Sequence, residues 1–304
     1  MATLLFGYDV ESGAPEITPV FLEQAMTVHE SLEAPCTLFT TGQTLQSNIE
    51  AFKAVAARPD LFDIQSHTYS HTLLKTVCQD RDGEIMIVRG GSIEVLRDEI
   101  SRSVALTRGL LGLEVMGLCG PYCYYRGLCD RPDILEVIHD FGIRFTRTWG
   151  RNEKDWQPTE LSLQPFWYEP QGFGDILELP VHGWQDCIWR DERGWEDTKG
   201  FMDYQCGLID EAAERDCVLN LCSHDWSSIR EDPEMTIVAG ILSRARKRGL
   251  RIMSFKSYYE EQAAAQDLVR QEIERDSSDL EQVTAAEGFR ESTGNQIQVD
   301  APSS

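Results

Sequence analysis

Basic residues are scarce in this chain: 28 Lys and Arg stand against 51 Asp and Glu, a formal net charge of -23 over 304 residues. A field of that sign repels phosphate backbones and anionic lipid headgroups, so nucleic acid and membrane surfaces are poor partners. Long apolar runs are missing too. No window approaches the roughly 18 apolar residues needed to cross a bilayer. The opening MATLLFGYDV carries neither a basic segment nor an apolar stretch followed by a cleavage site. A soluble, cytoplasmic protein is expected. Among nine cysteines there is no Cys-x-x-Cys pair; Cys119 and Cys123 are four apart, and the total is odd. That spacing suits neither a zinc knuckle nor a disulfide framework. Cysteines in apolar runs, such as Cys217 and Cys222, behave as small buried hydrophobes. No Gly-x-Gly-x-x-Gly and no P-loop follows the first strand, which leaves dinucleotide and nucleoside triphosphate folds without support.

What is present is an alternation of short apolar runs and amphipathic stretches. Strands are predicted at Thr3–Tyr8, Cys36–Thr40, Leu61–Ser66, Val115–Leu118, Ile143–Thr146, Ile176–Val181, Val218–Cys222 and Leu250–Phe255. One helix begins at Thr18 with Pro19 in its first turn and lines up Phe21, Ala25, Val28 and Leu32. A second carries Ile93, Leu96, Ile100, Val104 and Leu111; a third runs from about Arg131 and stops at Gly142. Strands separated by helices pair in parallel through right-handed crossovers, and seven or eight such units close as a barrel. Arg147–Asp175, rich in Trp, Pro and Gly, is predicted to be a long loop over one face. The barrel is expected over 1–262. From about Asp267 nine acidic and three basic residues with few aromatics suggest a fraying helix and then an acidic, disordered tail through 304.

The chemically capable residues fall just beyond strand C-termini, the face on which barrel enzymes build their sites. Asp9 and Glu11 follow the first strand, His67 and His71 the third, Pro121 and Tyr122 the fourth, His182 and Asp186 the sixth, His224 the seventh. Four of the six histidines are there. One helical turn would put His67 and His71 on one side. Two neutral imidazoles with a carboxylate form the protein half of a catalytic divalent-metal site, although most His-x-x-x-His pairs are ordinary surface or capping residues. His29 and His139, on predicted helices, are expected to be structural. His182 suits either the pocket rim or packing. Trp149, Trp156, Trp167 and Trp184 would either wall a sugar site or anchor loops.

Over roughly residues 3–260 this pattern resembles the NodB-type polysaccharide deacetylases, carbohydrate esterase family 4. Asp9-Val10-Glu11 matches the acidic pair of the first motif and His67-Thr68-Tyr69-Ser70-His71 matches the second. Pro121 and Tyr122 match half of the third, but Cys119 stands where Arg is usual; Arg126 is a candidate substitute. Cys222-Ser223-His224 matches the last motif loosely, with Leu221 one place off. The resemblance implies a distorted (β/α)7-8 barrel and metal-assisted hydrolysis of a non-peptide C–N bond. Glu11, His67 and His71 would hold a divalent ion, zinc foremost, with cobalt, manganese or nickel equally suited to the donor set. Asp9 would be the general base, His224 the general acid and the Tyr122 N–H an oxyanion donor, with Asp186 orienting His224. A small-molecule or carbohydrate substrate follows, such as an N-acyl sugar, and some relatives form tetramers, so a homo-oligomer is open. Two other readings stand beside it: ring opening of a cyclic ureide or imide, as in allantoinase-like relatives and with or without metal, and a catalytically silent binding barrel.

Overall fold

The computed structural model describes residues 1–81, 83–269 and 271. At its centre is β1 (Thr3–Val10), every residue of which is buried, as in a strand covered on both faces. The other strands are β2 (Cys36–Thr40), β3 (Phe62–Ser66), β4 (Val77–Arg81), β5 (Glu84–Val88), β6 (Gly117–Tyr125), β7 (Phe145–Arg151), β8 (Phe166–Tyr168), β9 (Phe173–Glu178), β10 (Val218–His224) and β11 (Arg251–Met253). The helices are α1 (Ile17–Ser31), α2 (Gly42–Ser47), α3 (Ile49–Ala56), α4 (Ile93–Leu111), α5 (Pro132–Asp140), α6 (Asp186–Arg193), α7 (Thr198–Arg215), α8 (Asp225–Ser228) and α9 (Thr236–Lys247).

One sheet runs β10-β1-β2-β3-β6-β7-β9-β8, with β11 also paired to β1. Its pairs are parallel except β8 with β9. This is the distorted (β/α) barrel architecture anticipated from the alternation of strands and helices. The inner faces of the helices close over it: α1 buries Phe21, Leu22, Ala25 and Val28, and α9 buries Ile237, Val238, Ile241 and Leu242. α4 begins at Ser92, whose hydroxyl accepts from the Val95 N–H, and ends on Gly112 at φ 69, the left-handed residue that a helix C-terminus favours.

Three expectations need correction. β6 runs on past Leu118, because its register against β7 shifts between Cys119 and Tyr124; this bulge carries Tyr122 and Cys123 at positive φ, 69° and 51°. The stretch 147–175 is not one loop. It holds the end of β7, all of β8 and the start of β9, so its aromatics serve partly as strand residues. The antiparallel β4–β5 hairpin was not anticipated. The contacts divide the chain into Met1–Tyr259 and Glu260–Ser304. Of the latter, 260–269 and 271 are helical, and the rest of the expected acidic tail lies outside the described residues. Among the described residues no helix is long and apolar enough to cross a membrane.

The sheet order ends on β10 and β8 with no ladder between them among the described residues; main-chain and side-chain hydrogen bonds from the segments after β9 and before β8 reach β10 instead. His182 N–H donates to Asn220 O at 2.9 Å, Asn220 N–H donates back to His182 Nδ1 at 2.9 Å, and Asn220 Nδ2 donates to Leu179 O at 2.8 Å. Gln164 adds a reciprocal pair with the Val218 backbone, 2.9 and 3.0 Å. His182 Nε2 donates to Leu163 O at 2.6 Å, so the ring is neutral, and burial lowers its pKa to about 4. His182 is therefore a seam residue rather than a pocket-rim residue. His29 is built alike: burial lowers its pKa to about 4, the Tyr8 hydroxyl donates to Nε2 at 2.8 Å and Nδ1 donates to Ala34 O at 2.6 Å.

Replacing His182 with Phe keeps the volume but leaves the Asn220 N–H and Leu163 O unpaired. The expected loss at pH 7 is about 1–3 kcal/mol for each buried group, read from urea denaturation. A histidine whose folded pKa is depressed binds its proton only in the unfolded chain between the two values, so stability falls as pH drops from about 6.5 toward 4. His182→Phe should make that fall shallower. Unchanged stability and slope would remove His182 from the seam.

Candidate active site

Alternation along β1 sends Asp9 and Glu11 to the same side of the sheet. Asp9 is buried at 4% exposure; Glu11 is half-buried at the strand's exit. β3 delivers His67, also buried. The chain from His67 to His71 does not make the helical turn expected of it. Thr68 and His71 sit at φ 62° and 63°, and the amides of Tyr69 and Ser70 donate to Glu99 Oε2 at 3.0 and 2.7 Å rather than to carbonyls four residues back. Ser70 Oγ donates to the other oxygen of Glu99 at 2.6 Å. Glu99, on the buried face of α4, thus shapes the turn that brings the two imidazoles together, with ring centroids 4.9 Å apart.

Glu11 Oε2 lies 2.7 Å from His71 Nε2 and 3.2 Å from His67 Nε2. One donor atom from each of the three residues falls within 4.8 Å of the other two, the reach of a single divalent ion, and two imidazoles with a carboxylate are a donor set such an ion accepts. His67 Nδ1 is 3.1 Å from Cys119 O, which fixes the ring with Nε2 toward Glu11, the outer support typical of a ligating histidine. Burial alone would raise the Glu11 carboxyl; hydrogen bonds from His67 and His71 and the charge of His224 hold it well below its ordinary range. The residues fit a metal.

Beside this trio Asp9 is gripped by Arg147. The wholly buried guanidinium donates through Nη2 to Asp9 Oδ1 and lies 3.0 Å from Cys119 Sγ. Arg126, the sequence-level candidate for this duty, is exposed and is not among the residues lining the pocket; the exchange has a simple origin. Cys119 of β6 and Arg147 of β7 are register partners in the ladder, so a cation missing from one strand is supplied by its neighbour. Gly7 makes the room: a Cβ there would come within 2.8 Å of Arg147 Nη1. The guanidinium also lies 4.6 Å from the Phe39 ring centroid. Burial pushes the Cys119 thiol up and the Cys222 thiol to about 12, so neutral sulfurs line Asp9 at 3.9 and 3.7 Å. All nine cysteines are free.

Opposite stands His224, its Nε2 3.8 Å from Asp9 Oδ2 and its Nδ1 2.6 Å from Asp186 Oδ1. Asp186 also accepts from the His224 N–H, Ser223 Oγ and the Cys187 N–H. Burial works against the imidazolium, but Cys187 and Asp186 outweigh it and hold His224 well above its ordinary value. The thiol of Cys187 is itself raised by burial, so the carboxylate is the charge that does this. Asp186 stays ionised against the same burial through the charge of His224 and the donors around it.

The pocket above these groups has a volume of about 220 Å³ and is walled by Met86, Tyr122, Arg151, Ile188, Asp191 and Trp226. The tryptophans do not make one wall. Trp149 lines a neighbouring cavity with Tyr125, Trp167 meets Tyr259 edge-on at 6.0 Å, and Trp184 packs on the core. His139 pairs with Asp175 at 2.9 Å, far from the pocket lining. Arg147, Glu99 and Gly7 were not singled out from sequence. The glycine inside a strand was their one available signal, since it marks a close approach.

No family model and no curated protein matches the sequence. Solved structures do. The chain superposes on a provisionally named polysaccharide deacetylase from Mycobacterium smegmatis with a TM-score of 0.62 at 15% identity, covering 87% of this chain and 91% of that one. The Puue allantoinase gives 0.64 at 13% identity over 86% and 90%. A provisionally named polysaccharide deacetylase from Pseudomonas aeruginosa PAO1 gives 0.62 at 14% over 85% and 89%. The chain therefore has the fold of the NodB-type polysaccharide deacetylases.

Proposed function

We propose that this chain is a metal-dependent hydrolase of non-peptide C–N bonds, deacylating an N-acyl sugar or a related small intracellular substrate. The observation that carries the reading is the placing of two proton-handling groups, Asp9 and His224, 3.8 Å apart beside the Glu11–His67–His71 trio. A divalent ion there, zinc foremost, would supply Lewis-acid polarisation of the scissile carbonyl. Asp9, paired with Arg147, takes the proton of the attacking water. The Tyr122 amide, on the bulge of β6, donates to the oxygen on which charge develops. His224, kept protonated by Asp186, gives its proton to the departing amine, which leaves poorly without one. A binding barrel without turnover would have no use for a base and an acid poised this way. The acidic surface argues against nucleic acid and anionic membranes as partners.

Ring opening of a cyclic ureide or imide is the second reading. It is favoured by the small pocket, about 220 Å³, and agrees with the fold shared with an allantoinase.

Elemental analysis tests the first. The purified chain is expected to hold about one divalent ion, and a His67→Ala/His71→Ala variant none. If both are metal-free after soaking in zinc, the metal mechanism fails, and turnover of cyclic ureides then decides between the second reading and a silent barrel.

A further inference from the structure

Among the residues lining the pocket there are three carboxylates, Asp9, Glu11 and Asp191, and a single Lys or Arg, Arg151. Its side chain is 2% exposed. Nε donates to Tyr122 O at 2.9 Å and Cys123 O at 3.0 Å, and Nη1 donates to Asp155 O at 2.5 Å. These acceptors are all backbone carbonyls. The nearest carboxylate oxygen, Asp155 Oδ1, stands 3.9 Å from Nε, beyond hydrogen-bond reach, and Nη2 has no hydrogen-bond partner among the described residues. A guanidinium so buried ordinarily finds a carboxylate, because desolvating an unpaired charge is costly. Here three carbonyls lock the planar fork and leave one edge unused.

Arg151 is shared by two cavities. Arg151 lines the pocket with Asp9 and His224, and it also lines the adjoining cavity of about 480 Å³ with Tyr125, Trp149 and Asn152. We propose that Arg151 is the specificity determinant of this site and that the substrate carries a carboxylate on the ring that bears its scissile C–N bond, received by the free edge of the Arg151 guanidinium. The inference rests on the hydrolase reading above. A planar carboxylate matches the fork. In a chain of net charge -23 the general field opposes an anionic substrate, so capture needs a fixed local cation. A neutral substrate would offer that edge no opposite charge.

The test uses two ligands that differ only in charge: N-acetylglucosaminuronic acid and its C6 carboxamide. Calorimetric titration of the full chain reads binding without turnover. The acid is expected to bind at least about tenfold more tightly than the amide, the scale of one charge-assisted pair. Arg151→Met should abolish that preference, the acid losing much more affinity than the amide; Arg151→Lys, which keeps the charge without the fork, should retain part of it. Hydrolysis of the same pair by the parent chain should show the preference in KM rather than kcat. Equal binding of acid and amide, binding of neither, or an equal loss of both in the variants overturns the proposal. If both ligands are hydrolysed without discrimination, the inference fails and the hydrolase reading stands. If the acid binds preferentially and neither is hydrolysed, the anion site stands and the deacylation reading fails.

Discussion

Replacing Asp186 with asparagine is expected to lower kcat/KM at pH 7 by about two orders of magnitude or more, the scale of general acid catalysis, and to shift the alkaline limb of the pH–rate profile to lower pH. The sign follows from two opposed effects on His224. Burial favours the neutral ring, while the Asp186 carboxylate at 2.6 Å favours the charged one, and the balance holds the pKa well above 6.5. Asparagine keeps the size but removes the charge. Burial then prevails, the pKa falls, and the proton needed by the departing amine is lost at a pH where the parent chain still holds it. Stability should respond in two windows. The raised His224 contributes stability that is complete below about 6.5 and fades as pH rises through its folded value. The depressed Asp186 contributes stability present above about 4 and lost as pH falls through its folded value. An alkaline limb that stays in place in the variant would remove Asp186 from this role.

Replacing Arg147 with methionine is expected to cost about 3–5 kcal/mol of stability, since a buried carboxylate loses the cation that is hydrogen-bonded to it, and to reduce turnover sharply. Asp9, 4% exposed, would take up a proton to escape the cost, and a protonated carboxyl is no base. Urea denaturation and steady-state turnover measure both effects. The more telling variant is the exchange of Arg147→Cys with Cys119→Arg. The two positions are register partners on adjacent strands, about 4.8 Å apart, so an arginine on β6 can approach Asp9 from the other side. The double variant should recover a substantial part of what Arg147→Cys alone loses. Arg147→Met retaining full stability and turnover would show that Asp9 does not depend on Arg147.

The legible parts of this protein are those in which chemistry and position sit close together in the chain. Asp9 and Glu11 are two apart on one strand, His67 and His71 follow the end of another, and His224 ends a third, so short spacing and strand boundaries were enough to gather them. Arg147 was illegible for the opposite reason: its relation to Asp9 and Cys119 exists only through strand register, which no local spacing encodes. Glu99 was hidden on a helix face that buries Ser103 and Thr107 as well as Leu96, Ile100 and Val104, and the turn that it shapes at His67–His71 has the wrong dihedrals for the helical turn that the spacing suggested. The β4–β5 hairpin did have its signal, the Asp-Gly pair at 82 and 83. His182, placed after a strand like the reactive histidines, was separable from them only by its partners, all of which are backbone atoms.

The missing ladder between β10 and the segment that follows β9 has a consequence for the chemistry. Asp186 follows the strand on one side of the gap and His224 ends the strand on the other, so their bond spans the two lips of a slit. In a barrel laddered all the way round, such a distance would be fixed by the main chain. Here it is set by one main-chain bond, His182 N–H to Asn220 O, and a handful of side-chain bonds at His182, Asn220 and Gln164. The acidity of the proton donor is thereby coupled to the width of the slit, and residues that never meet the substrate become tuning screws for its protonation.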